Sequence, residues 1–204
     1  IKAEDFDTFR PSPGFGTVLL TMYEHPHCTT VDSDQYGCSM LVMDHLLSRG
    51  HRQVRFVGGP SYSVDSNFRE QGWRDALEVR GIDVAEPLRG DWTADSGYEA
   101  GAALAADKDM TAVYVANDQM ALGVIAALED AGRRVPEDVS VVGVDDSLGD
   151  IVPDRRLTTV RFDNKRVGMW AVDKIAGAEG GASGVEHMLI PGMLVEGDTV
   201  RCLR

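Results

Sequence analysis

The sequence predicts an α/β protein built on a mostly parallel sheet. From about residue 39 onward, segments with helical spacing of apolar residues alternate with short apolar runs. This alternation is typical of helices that cross over between parallel strands. A chain of 204 residues, 43% of them hydrophobic, is long enough to bury a substantial core as one large domain or two small lobes.

The first helix and strand of this pattern lie between residues 40 and 60. Apolar residues recur at helical spacing over residues 40–47, and Gly50 is placed to stop the helix. Residues 54–57 then predict a short buried strand. The sequence Gly-Gly-Pro at 58–60 predicts the turn that ends it.

Two capping patterns predict the next two helices. Asn67 and Glu70 predict a capping box for a helix that Gly81 closes, and Ser96 with Glu99 repeats the spacing. We therefore expect helices to begin near residues 67 and 96.

Two apolar runs with a helix between them follow. Residues 112–116 predict a strand, and Asp118 is placed to cap a helix that ends near Gly132. Residues 139–144 form a nearly continuous β-branched run, which is typical of a strand covered on both faces. Asp145 stands at its carboxyl end.

The last part of the chain predicts a strand, a helix and short closing strands. Residues 157–162 indicate the strand, and Asp163 is placed to cap a helix that ends near residue 176. The segment 177–184, rich in glycine and alanine, predicts a flexible connection.

Composition and missing motifs exclude several classes of protein. The net charge of −13 would repel a polyanion, so we expect any DNA contact to come from elsewhere. Three cysteines without C-x-x-C spacing argue against a disulfide framework and a zinc site, and favour a reducing cytosol. No apolar run approaches the roughly 18 residues of a membrane helix. Nucleotide-binding and hydrolase motifs are missing too, so we predict no enzyme, cofactor or metal.

Four polar or aromatic residues are placed where an open α/β sheet binds ligands, beyond the carboxyl ends of its strands. They are Arg69, Trp92, Asn117 and Asp145. Aspartate accepts from vicinal hydroxyls, arginine donates through a planar fork, asparagine does both, and an indole covers the apolar side of a pyranose. The set predicts a sugar site.

Each of these residues also has a structural interpretation. Asn117 suits a helix start, and Asp145 could form an Asx-turn with Asp146. Arg69 could be a solvated residue on a helix face, and Trp92 could anchor a loop.

Five motifs follow one another between about residues 31 and 175. They are HLLSRGH at 45–51 with GGP at 58–60, REQGW at 69–73, ANDQMALG at 116–123, VSVVGVDD at 139–146 and LTTV at 157–160. The ordered set resembles the effector-binding domain of lactose-repressor-family transcription regulators. The resemblance implies a two-lobed, type I periplasmic-binding-protein-like fold, each lobe a mostly parallel sheet flanked by helices.

The resemblance also implies which residues contact the effector. They are Val31, Asp65, Arg69, Trp92, Asn117, Asp145 and Leu157. The turn Gly-Asp-Trp at 90–92 is similar to one in this family whose tryptophan lies against the sugar, so we expect a galactoside or related disaccharide. Asp65 adds a carboxylate where the family has a serine.

The family division would give this chain two unequal lobes. We expect an incomplete amino-terminal lobe from residues 1–31 and 155–181 and a carboxyl-terminal lobe from residues 32–154 and 182–204. Residues 15–20 resemble the second strand of the first lobe, but the distance to Val31 is too short, so we expect that segments of this lobe are omitted. Arg155 and Arg156 replace the usual Pro-Pro.

By resemblance, a small sugar would bind between the lobes of a cytoplasmic homodimer. It would control operator DNA binding through a helix-turn-helix headpiece that is not in this chain. One alternative is a periplasmic sugar-binding protein of a transporter, because fold does not fix function. A third interpretation is a nucleotide-dependent α/β enzyme.

Overall fold

The computed structural model describes residues 6–12, 14–148, 156–177 and 184–203. These residues form the strands β1 (Val18–Leu20), β2 (Thr29–Ser33), β3 (Val54–Gly58), β4 (Leu88–Arg89), β5 (Ala112–Val115), β6 (Ser140–Val142), β7 (Thr159–Arg161), β8 (His187–Ile190) and β9 (Met193–Val195). They form the helices α1 (Gln35–Ser48), α2 (Val64–Glu78), α3 (Ala94–Leu104), α4 (Asp118–Asp130) and α5 (Asn164–Gly177).

The chain divides into two compact units. The first comprises the described parts of Ile1–Asp34 and Phe162–Gly192, and the second those of Gln35–Arg161 and Met193–Arg204. The predicted assignment to amino- and carboxyl-terminal lobes stays a prediction. Its boundaries near residues 154 and 181, and Arg155, lie outside the described residues.

The first unit is a parallel three-stranded sheet covered by one helix. Its strand order is β1-β2-β8, and both pairings are parallel. Val167 and Ala171 of α5 pack with Val31 of β2 and Ile190 of β8 in a small buried cluster. This cluster is the core of the unit among the described residues.

The second unit contains a four-stranded parallel sheet in the order β4-β3-β5-β6. The predicted α/β architecture with a parallel sheet is therefore confirmed. Phe56 of β3 stacks on Trp73 of α2 and meets the ring of Tyr114 of β5 edge to face, and all three side chains are buried. Beside this sheet, β7 pairs with β9 in antiparallel register.

The predicted capping boxes of α2 and α3 were wrong. Helix α2 begins three residues before Asn67, where the Ser63 side chain accepts from the backbone N–H of Ser66. Helix α3 is capped by Thr93, whose side-chain hydroxyl accepts a hydrogen bond from the backbone N–H of Ser96. In both helices an earlier hydroxyl accepts from an N–H of the first turn, so the helix begins before the predicted pair of residues.

The remaining helix ends agree more closely with the sequence. The cap of α4 is Asn117, one residue before the predicted Asp118. Asp163 caps α5 as predicted, because its Oδ1 accepts from the N–H of Arg166 at 2.9 Å. Gly50 ends α1 as predicted, with a φ of 92° that glycine adopts without strain.

Helices α3 and α4 contact each other backbone to backbone. A Cβ atom on Gly97 of α3 would lie 2.1 Å from the carbonyl oxygen of Met120. One on Gly123 of α4 would lie 2.0 Å from the carbonyl oxygen of Ala94. The two helices therefore need glycine at both positions to pack this closely.

Candidate ligand-binding site

The predicted site residues that follow the strands of the second unit lie at one edge of its parallel sheet. Strands β3, β4, β5 and β6 run in the same direction, so their carboxyl ends share that edge. The chain continues from these ends into Gly59, Trp92, Asn117 and Asp145. Such an edge is where open α/β sheets bind ligands.

Arg69 lies on α2 and is only 4% exposed. Its Nε donates to Oε1 of Gln35 at 2.9 Å, and its Nη1 donates to the carbonyl oxygen of Ala116, directly after β5. The interpretation as a solvated helix-face residue is therefore wrong. Buried partners from α1 and the sheet edge hold the guanidinium in place.

Asp145 lies opposite the third nitrogen of this guanidinium. Its Oδ1 is 3.8 Å from Nη2 of Arg69, and its side chain is 42% exposed. Its backbone N–H donates to the carbonyl oxygen of Val160 at 2.9 Å, which fixes the main chain at this point. Partial burial raises the pKa of the Asp145 carboxyl, Arg69 opposes that rise, and the charge of Asp65 adds to it.

Trp92 packs its indole ring on the turn after β3. A Cβ atom on Gly59 would lie 2.2 Å from Cζ2 of the ring, so only glycine allows this contact. The N–H of Gly59 donates to Oγ of Ser66 at 2.8 Å, which ties the turn to the first turn of α2. Trp92 therefore anchors its loop, as the structural interpretation proposed, and remains partly exposed.

Asn117 joins the start of α4 to the Trp92 turn. Its Oδ1 accepts from the N–H of Met120 at 2.9 Å, and its Nδ2 donates to the carbonyl oxygen of Trp92 at 3.0 Å. The helix-start interpretation of this residue is confirmed. An amide can form four hydrogen bonds in all, so these two contacts leave capacity for a ligand.

Unusual backbone conformations mark the same edge. Among the described residues, the non-glycine residues with positive φ are Trp92 at 78°, Asp145 at 108° and Asp146 at 52°. Such conformations cost on the order of 1–3 kcal/mol each and cluster at ligand sites. Their coincidence with the predicted residues is an independent indication of a site.

Comparison with known proteins identifies the domain. A family model described as a periplasmic binding protein-like domain matches residues 43–200. The chain belongs to this family of periplasmic binding protein-like domains.

Named relatives of this periplasmic binding protein-like domain are transcription regulators. The lactose operon repressor of Escherichia coli (strain K12) is 35% identical over 160 residues, which cover 78% of this chain and 44% of the repressor. The HTH-type transcriptional regulator CelR of Thermobifida fusca is 42% identical over 121 residues, covering 57% and 35% respectively. The chain thus spans less than half the length of these relatives.

Solved structures agree with this placement. The lac repressor dimer bound to operator and the anti-inducer ONPF superposes with a TM-score of 0.78 at 32% identity, covering 84% of this chain and 60% of that one. The resemblance to the lactose-repressor family and the periplasmic-binding-protein-like fold are both confirmed.

Two further predicted contacts, Val31 and Leu157, have packing roles in the structure. Val31 belongs to the first unit of this periplasmic binding protein-like domain, where it is 0% exposed in the core. Leu157 precedes β7, and its Cδ2 packs where a Cβ of Gly143 would lie. The structure gives both side chains packing roles, and their effector contacts stay predictions.

Sequence reasoning missed two residues that support the site. Gln35 orients Arg69 from a position 34 residues away. Asp118 is 1% exposed, and its oxygens accept from the Thr159 hydroxyl at 2.7 Å and the N–H of Ser147 at 2.8 Å. Burial raises the pKa of Asp118 to about 6, and the charges of Asp145 and Asp146 add to the rise. Its position inside the ANDQMALG motif at 116–123 was the available sequence signal for Asp118.

The described residues also bear on metals and membranes. Within them, no three His, Cys, Asp or Glu side chains are grouped closely enough to hold a metal ion. None of the described helices combines the length and apolar character needed to span a bilayer.

Proposed function

We propose that this chain is the effector-sensing domain of a DNA-binding transcription regulator and that it binds a small sugar. The observation that carries this proposal is the convergence of Arg69, Asp145, Asn117 and Trp92 at one sheet edge. A galactoside or related disaccharide is the expected ligand. The domain performs no chemistry itself.

Each side chain has a defined part in holding the sugar. Asp145 accepts hydrogen bonds from two neighbouring hydroxyls, and Arg69 donates through its Nη2 side. Trp92 covers the C–H face of the ring, since an indole offers a large rigid apolar surface. Asp65, one helical turn before Arg69, adds a second carboxylate acceptor. Val31 and Leu157 would contribute apolar contacts to the same ligand.

The relatives support a regulator rather than a transporter component. Their names describe repressors and regulators, and one solved relative is a dimer bound to operator and an anti-inducer. By this analogy the whole protein is a cytoplasmic homodimer that contacts operator DNA through a helix-turn-helix headpiece outside this chain. The net charge of −13 supports placing the DNA contact elsewhere.

The proposed control of DNA binding is a shift between two arrangements of the domain. A sugar moves that equilibrium only if it contacts the two arrangements unequally. A coupling free energy of about 1 to 3 kcal/mol would change operator affinity by roughly 5- to 150-fold.

A thermal-unfolding screen of this chain tests the proposal. Lactose, galactose and other mono- and disaccharides are compared with nucleotides, because a ligand that binds only the folded state raises the melting temperature. We expect a sugar to stabilise the chain and nucleotides to have no effect. Stabilisation by nucleotides alone would instead favour the α/β enzyme. Operator titration of the full-length protein with and without the active sugar then separates regulator from transporter component.

A further inference from the structure

Among the described residues, the candidate site places two carboxylates, those of Asp65 and Asp145, around the guanidinium of Arg69. Asp65 and Arg69 stand four residues apart on α2, so they share one face of the helix. Asp145 lies 3.8 Å from Arg69 and is close enough to Asp65 for the charge of that residue to raise its pKa. Two carboxylates therefore face a single guanidinium.

That guanidinium is already engaged on its other side. Two of its nitrogens donate to Gln35 and to the carbonyl oxygen of Ala116, so only Nη2 faces Asp145. No described residue donates a hydrogen bond to the carboxylate of Asp65 or forms an ion pair with it. Among the described residues, Asp65 thus adds a carboxylate whose hydrogen-bonding capacity is unused beside the Arg69–Asp145 pair.

The other carboxylates at this edge have partners of their own. Asp146 forms an ion pair with Arg161. Asp118 accepts from the Thr159 hydroxyl and the N–H of Ser147. Arg89, which donates to Oγ of Ser66 beside Asp65, forms its ion pair with Glu70. Among the described residues, the carboxylate that has no donor or ion-pair partner of its own is therefore that of Asp65.

An aromatic face lies at the same end of α2. The Trp92 ring packs on Gly59. The backbone N–H of Gly59 donates a hydrogen bond to Oγ of Ser66, the residue next to Asp65. An indole face attracts a cation by about 0.5 to 2 kcal/mol. Carboxylates beside an indole suit a ligand that presents both a sugar ring and a positive charge.

We propose that the effector is an amino sugar whose protonated amine is bound by Asp65 and Asp145, rather than a neutral or phosphorylated sugar. This inference rests on the proposed function, in which this edge binds a sugar. A phosphorylated sugar brings a further negative charge, which the excess carboxylate would repel.

Matched pairs of sugars test the charge requirement on this chain. Calorimetric titration compares galactosamine with galactose, glucosamine with glucose and lactosamine with lactose, at a pH where the amines are protonated. Glucose 6-phosphate is the anionic comparison. We expect at least one amino sugar to bind about tenfold more tightly than its neutral partner, because hydrogen bonds to charged groups are stronger than neutral ones. The phosphate ester should bind most weakly.

Two matched variants locate the effect. Asp65 and Asp95 are each the second residue of a helix, and each follows a hydroxyl cap. Asp65→Asn should reduce the affinity ratio of amino to neutral sugar to about one. The control variant Asp95→Asn, at an exposed position, should leave that ratio at its wild-type value.

The outcomes separate this inference from the function on which it rests. Neutral sugars that bind as tightly as their amino partners would overturn the inference and leave sugar sensing intact. A preference that persists in Asp65→Asn would overturn the role of Asp65. Failure of every sugar, neutral or charged, to bind would instead remove the proposed function.

Discussion

The Nη2 atom of Arg69 lies 3.8 Å from Oδ1 of Asp145, and the two side chains differ sharply in exposure, at 5% and 42%. Arg69 is held by buried partners, whereas Asp145 faces solvent on one side. The two residues should therefore respond differently to mutation, although both are predicted to bind the effector.

Asp145→Asn should weaken sugar binding and leave the free protein nearly as stable as before. The change removes a charged acceptor, for which a loss of about 10- to 100-fold in affinity is expected. The free energy of unfolding should change by less than about 1 kcal/mol, since the ion pair is partly exposed. Titration calorimetry and urea unfolding measure the two quantities. A large loss of stability without ligand would assign Asp145 a structural role.

Arg69→Met should destabilise the free protein itself. Methionine has a comparable length but no donors, so the buried hydrogen bonds to Oε1 of Gln35 and to the carbonyl oxygen of Ala116 are lost. A cost of about 2 to 4 kcal/mol is expected. Arg74→Met on the same helix is the control, because the Arg74 side chain is 34% exposed, and it should cost less than about 1 kcal/mol. If urea unfolding shows that Arg69→Met and Arg74→Met lose the same free energy of unfolding, Arg69 does not anchor the structure as described.

Gly59→Ala should displace the Trp92 ring. The new Cβ would lie 2.2 Å from a ring carbon, so the indole must move, at a cost of about 1 to 3 kcal/mol. We expect altered tryptophan emission and weaker sugar binding. Gly168→Ala in α5 is the control, because nothing lies within 4 Å of its Cβ position, and there we expect a gain of about 0.5 to 1 kcal/mol. Unchanged emission in Gly59→Ala would refute the contact.

Asp118 should make stability fall as pH rises. Its pKa of about 6 in the folded protein lies above the ordinary value of 3.8, so the folded state holds a proton that the unfolded chain releases between these values. The stabilisation is complete below about pH 4 and is lost as pH rises through about 6. The free energy of unfolding, relative to that of Asp118→Asn, should fall by up to about 3 kcal/mol between pH 4 and 7.

Asp138→Asn provides the control for this pH dependence. The hydrogen bond from Arg134 holds the pKa of Asp138 below its ordinary value, so its effect on stability is lost only as pH falls below about 4. The difference in free energy of unfolding between wild type and Asp138→Asn should stay constant from pH 4.5 to 7. If the difference in free energy of unfolding between wild type and Asp118→Asn is also constant over this pH range, the pKa of Asp118 is not raised in the folded protein.

The sequence predicted the parallel sheet and its carboxyl edge because the apolar strand segments, and their alternation with helices along the chain, can be recognised locally. It placed Asn117 and Asp145 correctly for the same reason, since each directly follows a strand. Burial of Arg69 could not be predicted, because it depends on Gln35, 34 residues away, and on a carbonyl group that has no sequence signature. The true cap of α2 was missed because Ser63 and Asn67 are chemically equivalent candidates.

The close contact of α3 and α4 at Gly97 and Gly123 bears on how the site responds to a ligand. Trp92 immediately precedes the cap of α3, and Asn117 is the cap of α4. Helices locked together along their backbones cannot slide apart, so the indole and the amide form a preorganised pair. A sugar that binds there meets a surface whose ordering entropy was already lost during folding, which leaves more of its contact energy as affinity.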